Sequence, residues 1–475
     1  MNLPEAFLSQ IKPLLGSRYD SFIRAMEEEA TTSIRFKPLN PLKGTWSVKD
    51  RSYLRFFQKQ KSPLGDLGVE SVPWASNAFY LNERPSFTFD PLFHAGCYYV
   101  QEASSMFLEQ IIKAHVSAPV KCLDLCAAPG GKSTLLSSTL PEGSLLVANE
   151  VIRSRSHILK ENLIKWGNPN VIVTNNDPKI IGKSLPGFFD LIVTDVPCSG
   201  EGMFRKDKNA IFEWSLENVT LCAERQQRII ADIWPALKPG GILIYSTCTF
   251  NLKENEENIH WLVNTFGAEP LDVVLKENWN ITRAKKYNYP VFRFIPGQTK
   301  GEGFFIAAVK KSGDSSSGHI FNKFKKEKAK KDKTLVPPII KNWIKDYDSF
   351  FIEVNENFVS AIPEIHQSDY LIIKDALRVI YAGITICEIK GKDVIPNHAL
   401  AMSEYLNRES FPSVDVDKET AIAYLRREPI QLTDDMPKGY VLLTYQNHPT
   451  GFVKNLGNRT NSLYPQEWRI RTAYQ

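Results

Sequence analysis

The segment GGILIYSTCTF, residues 240–250, predicts a buried strand that ends at Cys248. Two glycines open it, four large side chains follow, and the small polar pair Ser246 and Thr247 precedes the cysteine. A short apolar run between turn signals is typical of a strand inside a parallel sheet. Because ligands bind at the carboxyl ends of such strands, we expect Cys248 at a functional edge, with a buried structural thiol as the alternative.

Predicted strands and helices alternate around this segment, which indicates an α/β fold with a mostly parallel, doubly wound sheet. Apolar residues recur at helical spacing between the strands, for example over 153–166 and 254–266. The pattern therefore predicts a seven-stranded sheet, with strands at 120–125, 144–149, 170–174, 189–194, 240–247, 292–295 and 304–309.

Changes in composition predict four regions, namely 1–115, 116–312, 313–335 and 336–475. The first is a small α+β region, the second holds the alternating strands, and the fourth is a further α+β region. The third is rich in Lys and Ser, which is typical of a linker. In the fourth region, Tyr370–Val379 and Tyr381–Ile389 are predicted strands.

Composition excludes several classes of protein. The chain has 475 residues, 43% of them hydrophobic, and no apolar run of the length that a membrane helix needs. The N-terminus lacks the basic start of a signal peptide, so we expect a cytoplasmic protein without a membrane partner. The seven cysteines are not spaced as zinc ligands, so we expect reduced thiols and no metal.

The net charge of +5 is concentrated in one segment. Residues 321–333 hold seven lysines against Glu327 and Asp332, which accounts for the whole excess. Any nucleic-acid surface elsewhere must therefore be a local patch. Near the N-terminus, Arg35, Lys37 and Lys43 are predicted either to contact phosphates or to form a solvated strand face.

A glycine-rich turn after the first strand of the sheet lets the backbone approach a ligand closely. Glu150 ends the second strand, where an acidic residue can bind ribose hydroxyls, and Asp177 ends the third, where it can meet an adenine edge. Each signal is weak on its own, but the three in order on successive strand ends predict a pocket for an adenosine ligand. The turn consists of Cys126, Ala127, Ala128, Pro129, Gly130, Gly131 and Lys132.

The fourth and fifth strands end in residues capable of covalent chemistry. Asp195 and Cys198 follow one strand, and Cys248 follows the other, so adjacent strands would bring both thiols to one edge. Two thiols and a carboxylate beside an adenosine pocket predict covalent catalysis on a poor electrophile. Cations are expected to stabilise a thiolate there, and the candidates are Lys132, Arg205 and Lys206, with contacts to phosphate or solvent as the alternative.

Three of these segments together resemble the signature motifs of the Nol1/Nop2/Sun family of RNA cytosine-C5 methyltransferases: CLDLCAAPGGK (122–132), TDVPCSGEGMFRKD (194–207) and YSTCTF (245–250). The C-terminal segments RVIYAG (378–383), IPNHALA (395–401) and GNRTNSLYP (457–465) resemble the bacterial 16S rRNA branch of that family, the RsmF type. The resemblance covers nearly the whole chain. One departure is Lys208, which stands where a proline is common.

The resemblance implies a Rossmann-like class I methyltransferase core, an RNA-binding N-terminal region and a PUA-like RNA-binding C-terminal region. The implied cofactor is S-adenosylmethionine, with its methionine portion at residues 126–132, its ribose at Glu150, its adenine at Asp177, and Asp195 also in contact. Cys248 would add to C6 of cytosine, Cys198 would assist release, and Asp195 would hold the base. The implied product is 5-methylcytosine in 16S rRNA, formed by a monomer.

Three alternatives stay open. A DNA cytosine-C5 methyltransferase would use Cys198 as its nucleophile, which the pairing of Thr247 with Cys248 argues against. The same chemistry on tRNA is the second alternative. The third is a ribosome-assembly or RNA-binding factor with a vestigial methyltransferase fold.

Overall fold

The computed structural model describes residues 2–38, 69–313 and 336–472. The chain begins with helices α1 (Glu5–Leu15) and α2 (Tyr19–Glu27), whose apolar residues recur every three or four positions and are buried. Phe7 packs edge-on against Phe204, and Phe22 packs edge-on against Phe250. The two helices therefore lie against the segments that follow Cys198 and Cys248.

A small antiparallel sheet comes next, with strand order β2–β3–β1–β4. Its strands are β1 (Thr32–Phe36), β2 (Val69–Ser71), β3 (Ala78–Leu81) and β4 (Tyr98–Val100), and helices α3 (Pro91–His94) and α4 (Leu108–His115) accompany it. Both predictions for Arg35 are wrong, because its side chain is buried and donates to Gln101 Oε1 at 2.9 Å and to Thr134 Oγ1 at 2.7 Å. Lys37 pairs with Glu404 at 3.1 Å, and Lys43 lies outside the described residues.

The central sheet is built from β5 (Lys121–Asp124), β6 (Leu145–Asn149), β7 (Val171–Thr174), β8 (Phe189–Asp195), β9 (Leu237–Thr247), β10 (Glu269–Leu271), β11 (Val291–Phe294), β12 (Phe304–Lys310) and the later strand Val379–Ala382. Five neighbours, β9–β8–β5–β6–β7, run parallel. Strand β12 joins β9 antiparallel and carries β10 and β11, while Val379–Ala382 pairs antiparallel with β7. The predicted α/β fold is confirmed.

The expected number of seven strands is wrong, because the described sheet has nine. Strand β10 has only three residues and includes Pro270, so it carries almost no strand pattern. The strand Val379–Ala382 comes from the C-terminal region, where sequence proximity gives no hint of its partner.

Helices cover both faces of the sheet, since alternate residues of each parallel strand point to opposite sides. Leu146 and Ala148 of β6 join one apolar cluster, while Leu145 and Val147 join the other. The helices are α5 (Gly131–Thr139), α6 (Arg153–Trp166), α7 (Pro178–Ser184), α8 (Lys208–Glu213), α9 (Leu216–Ile233) and α10 (Glu256–Phe266).

Residues 336–472 form two four-stranded sheets, with strand orders β13–β14–β16–β17 and β18–β19–β20–β21. The strands are β13 (Phe350–Asn355), β14 (Phe358–Pro363), β15 (Val379–Ala382, the strand that pairs with β7), β16 (Ile384–Lys390), β17 (Asp393–Pro396), β18 (Ser413–Asp415), β19 (Gly439–Tyr445), β20 (His448–Asn455) and β21 (Thr460–Ser462). The helices are α11 (Ile340–Trp343), α12 (Gln367–Ala376), α13 (His398–Met402) and α14 (Lys418–Arg426).

The strand predicted at Tyr370–Val379 is wrong, since most of it lies in helix α12. Its neighbouring Leu and Ile residues suggested a strand, but Tyr370, Ile373 and Leu377 are three and four residues apart and share one buried face. Helical periodicity therefore decides this segment, because only a helix turns all three toward the same core.

The predicted boundaries between the four regions stay predictions, and the predicted linker lies outside the described residues apart from Gly313. Within the described residues, no helix combines the length and the apolar character needed to cross a membrane.

Helix α12 gives a test of this fold. Ile373 is fully buried, so Ile373→Ala should lower the free energy of unfolding by about 2–5 kcal/mol. Leu371 is 44% exposed, so Leu371→Ala should change it by less than about 1 kcal/mol. Urea unfolding of both variants measures the difference. In a strand these two residues would share a face, so equal effects would contradict the helix.

Candidate active site

The residues predicted to act on a substrate gather at one edge of the central sheet. Strands β8 and β9 run parallel with Asp195 opposite Ser246, so their carboxyl ends lie side by side. Asp195 is the last residue of β8, and Cys248 directly follows β9. The parallel register therefore brings together residues that are about fifty positions apart in sequence.

Cys198 and Cys248 are in direct contact. Their Sγ atoms are 3.1 Å apart, and the backbone N–H of Cys248 donates to Cys198 Sγ at 3.3 Å. The hydrogen bond with Cys248, followed by burial, raises the pKa of Cys198 well above its ordinary value. Cys198 therefore keeps its proton near neutral pH.

Asp195 is held by two neighbours but remains partly open to solvent. Ser246 Oγ donates to its Oδ1 at 2.7 Å, and Lys132 Nζ lies 2.8 Å from its Oδ2. Burial by itself lowers the pKa of Lys132, but Asp195, together with smaller contributions from Asp124 and Cys248, acts against burial and the net pKa is raised. Lys132 thus stays charged and fixes Asp195, which leaves the exposed part of the carboxylate available to a ligand.

A buried carboxylate that the sequence analysis missed, Glu254, positions the segment after Cys198. Its Oε2 accepts from the N–H of Ser199 at 3.0 Å and from Gln226 Nε2 at 2.7 Å. Its Oε1 accepts from Ser199 Oγ and from Asn251 Nδ2. Glu254 therefore joins the loop after β8 to the loop after β9.

A second carboxylate that the sequence analysis missed, Glu201, lies in the loop after β8 and accepts hydrogen bonds from the loop after β9. Its Oε2 accepts from the N–H groups of Phe250 and Asn251 at 2.6 and 3.0 Å, and its Oε1 accepts from Trp214 Nε1 at 3.0 Å. The N–H of Gly202 also donates to the carbonyl of Cys248 at 2.8 Å. No periodic pattern marks Glu201 or Glu254, so only their burial reveals them.

The glycine-rich turn forms a backbone cradle at the end of β5. Gly130 has a left-handed φ of +120°, which favours glycine, and α5 begins at the next residue. Arg155 donates to the carbonyl of Ala128 at 2.9 Å, and Asn162 donates to that of Pro129 at 2.8 Å. Helix α6 therefore holds the outer side of the turn. Burial raises the pKa of the Cys126 thiol, which keeps it protonated.

Glu150 and Asp177 lie at the ends of adjacent strands, as their positions predicted. Glu150 is buried, and its Oε1 accepts from the N–H of Ile152 at 2.9 Å. Asp177 is exposed and caps α7 by accepting from the N–H of Lys179 at 2.9 Å. Asn175 links the two loops by donating to the carbonyl of Glu150 at 2.7 Å. Their contacts to a ligand stay a prediction.

Asp124, the last residue of β5, is a further buried group that the sequence analysis did not single out. Its Oδ2 accepts from Ser133 Oγ at 2.6 Å, whereas its Oδ1 has no hydrogen-bond partner among the described residues. Burial raises its pKa to about 7. Its place beneath the glycine-rich turn leaves one oxygen free for a positively charged or hydrogen-bonding ligand.

Arg205 does not stabilise the thiols as predicted. Its guanidinium is buried against Glu302 and donates to the carbonyls of Ala25 and Gly301 at 2.9 and 2.8 Å. It therefore attaches helix α2 to the core, and Lys132 is the candidate cation that the structure places beside Asp195.

Family models match three parts of the chain. Residues 3–103 match the N-terminal domain of 16S rRNA methyltransferase RsmF, and residues 115–310 match 16S rRNA methyltransferase RsmB/F. Residues 411–470 match the methyltransferase RsmF PUA domain.

Curated relatives match over almost their whole length. The ribosomal RNA small subunit methyltransferase F of Pectobacterium atrosepticum is 30% identical, covering 98% of this chain and 96% of the relative. The protein of the same name from Vibrio atlanticus is also 30% identical, covering 98% and 97%.

Two solved structures from Pyrococcus horikoshii are similar over about two thirds of the chain. A methyltransferase homolog protein is 29% identical, with a TM-score of 0.53 over 65% of this chain and 95% of that one. NSun6, solved with SFG, is 18% identical, with a TM-score of 0.52 over 66% and 99%, and shows a shared fold.

Asp124 predicts an effect of pH on stability. Between its usual pKa of 3.8 and its folded pKa of about 7, the folded protein keeps a proton that the unfolded chain has lost. The free energy of unfolding therefore falls as pH rises through this window. Urea unfolding without ligand should show the wild type losing about 2–3 kcal/mol from pH 5 to pH 8 relative to Asp124→Asn. Parallel pH profiles for the two proteins would contradict this assignment.

Proposed function

Because this chain belongs to the RsmF family of 16S rRNA methyltransferases, we propose that it transfers a methyl group from S-adenosylmethionine to C5 of a cytosine in 16S rRNA. The observation that carries the chemistry is the contact between Cys198 and Cys248, with Sγ atoms 3.1 Å apart beside Asp195. A non-enzymatic assembly factor would not need two thiols held in contact at the ligand-binding edge of the sheet.

The residues around the glycine-rich turn fit the cofactor. The free oxygen of Asp124 suits the ammonium of a methionine portion, the left-handed turn at Gly130 allows close approach, and buried Glu150 suits ribose hydroxyls. Asp177 would lie at the adenine, and Asp195 would face both cofactor and base. When bound, S-adenosylmethionine supplies an electrophilic methyl group.

Cys248 is the proposed nucleophile. Its thiolate forms a bond to C6 of cytosine, the 5,6 double bond opens, and C5 gains the electron density needed to accept a methyl group. After transfer, a base removes the C5 proton, the electron pair of that C–H bond re-forms the 5,6 double bond, and Cys248 leaves C6 as the thiolate. Cys198 assists this release, because its Sγ lies 3.1 Å from that of Cys248 and its thiol can pass a proton to the departing Cys248 sulfur.

Asp195 is proposed to hold the base. Carboxylates accept hydrogen bonds from the N4 amino group of cytosine. The Asp195 side chain is partly exposed at the edge of the sheet where the two thiols lie. Fixed by Lys132 and Ser246, it would orient C6 toward Cys248. The target base must leave its stack to reach a sulfur at a strand end, which is less costly in unpaired RNA.

The N-terminal region and the PUA-like region are proposed to bind the RNA, and we propose a monomer that works in the cytoplasm. All seven cysteines are free thiols, as expected in a reducing compartment. The same catalytic groups would serve a tRNA substrate, so the substrate needs a direct measurement.

Bisulfite sequencing of rRNA and tRNA from cells with and without the gene tests this function. We expect one cytosine of 16S rRNA to lose its mark in the deletion. Loss of a methylated cytosine from tRNA instead would show that the substrate is tRNA. If neither RNA changes, the proposed reaction is wrong.

Exchange of the cysteines tests the mechanism. Cys248→Ala should abolish methyl transfer because no adduct can form. Cys198→Ala should accumulate a covalent protein–RNA adduct, visible as a band of reduced mobility on a denaturing gel. Cys387→Ala, which changes a buried thiol in the C-terminal region, serves as the matched control and should retain turnover. Normal turnover by Cys198→Ala would show that release does not use this thiol.

A further inference from the structure

A cavity of about 560 Å³ lies between helix α6 of the central domain and the C-terminal region. Along one wall are His157, Lys160 and Ile164, which share a face of α6 because they are three and four residues apart. The opposite wall comes from residues 395–399 and from 463–468. Residues 395–399 and 463–465 belong to two C-terminal segments quoted for the family resemblance, Glu467 and Trp468 follow them, and the proposed chemistry uses none of these residues.

One wall residue, His398, is buried without a hydrogen-bond partner. It is 4% exposed, and neither ring nitrogen meets a partner among the described residues. The rings of Tyr464 and Trp468 pack nearly perpendicular to the His398 ring, and the centroid of each lies 5.2 Å from the His398 centroid. Burial lowers the pKa of His398 to about 3, so the neutral ring has one donor and one acceptor. Unpaired buried polar groups are rare, and a ligand is one way of satisfying them.

Two basic side chains and an aromatic ring complete the cavity. Lys160 makes no hydrogen bond or close ion pair with any described residue; burial lowers its pKa, while Glu467 acts in the opposite direction. His157 is exposed at the rim. Trp468 is half-buried, and Lys165 lies 5.4 Å over its ring. The cavity thus combines an aromatic surface, an unused cation and unused hydrogen-bonding groups.

We propose that this cavity binds an unpaired nucleobase of the RNA substrate, at a site separate from the catalytic one. Trp468 would stack on the base, as aromatic side chains do with single-stranded RNA, and the His398 ring would form part of the wall behind it. Glu388 and Glu467 also line the cavity and can accept from a base amino group. The negative charge of these two carboxylates disfavours a phosphate inside the cavity. The backbone phosphate of the bound nucleotide would therefore contact Lys160 and His157.

The size and position of the cavity suit this role. Its volume lies in the range of about 300–1,000 Å³ that is typical of sites for small organic groups. Lys160 is about 10 Å along the axis of α6 from Arg153, near the edge of the sheet where Glu150 lies. An RNA strand at the catalytic edge can therefore extend to this cavity. The inference rests on the proposed function, since it takes RNA as the substrate.

Steady-state methylation of a 16S rRNA transcript by the full chain tests the site. Trp468→Ala should raise the KM for RNA about 5- to 100-fold, with kcat and the affinity for S-adenosylmethionine unchanged. Trp468→Phe should restore most of the lost affinity, because it keeps an aromatic surface. Lys160→Met should lower the slope of log Kd against log salt concentration by about one, as expected for the loss of one phosphate contact. Lys183→Met, at an exposed lysine of α7, is the matched control and should match the wild type.

Photo-crosslinking of 4-thiouridine-substituted 16S rRNA, mapped by mass spectrometry, gives a readout that needs no turnover. We expect adducts within residues 463–468 or 395–399. A Trp468→Ala protein with the wild-type KM and wild-type crosslinks would overturn the nucleobase site. If the wild type crosslinks at these residues but methylates no rRNA, the site stands and the proposed reaction fails.

Discussion

The contact between the two thiols depends on the buried carboxylate of Glu254. Glu254 is fully buried, and its two oxygens accept four hydrogen bonds from groups in both loops and helix α9. Burial raises the pKa of this carboxyl, while the hydrogen bonds from Ser199 and Asn251 act against burial. The four donors offset much of the desolvation of the group, and in return they fix the loop of Cys198 against the loop of Cys248. The sheet brings the two loops near each other, but the carboxylate fixes their spacing.

Buried arginines extend the same principle to the N-terminal region. Arg35 joins the small antiparallel sheet to helix α5, next to the glycine-rich turn, and its burial lowers its pKa to about 9. Arg205 joins helix α2 to Glu302 beside β12. Removing one partner of a buried ion pair such as Arg205 and Glu302 typically costs about 3–5 kcal/mol. With the hydrogen bonds of Arg35, this pair makes the N-terminal region a structural part of the active site. A basic residue that looks available for RNA in the sequence can therefore be fully occupied inside the protein.

Much of this architecture could be predicted from local patterns. The apolar runs at β5, β6, β8 and β9 identify strands, and parallel pairing then requires Asp195, Cys198 and Cys248 to lie at one edge, as they do. Glu201, Glu254 and Asp124 could not be found in this way, because their roles depend on burial by segments distant in sequence. Helix α12 was missed because neighbouring β-branched residues resemble a strand, and only the core it packs against selects its helical period. Lys132 was expected to stabilise a thiolate, and its ion pair with Asp195 became evident only from the 2.8 Å contact.

Because strand β15 lies late in the chain, the central sheet can be completed only late in synthesis. It covers the edge of β7, yet Val379 is made about 200 residues after Thr174. At a synthesis rate of about 5–20 residues per second, the ribosome needs about 10–40 s to deliver that strand. During this interval the nascent sheet has an open edge that can pair with another chain. The cell therefore has to protect a partly folded intermediate until β15, in the last quarter of the protein, emerges.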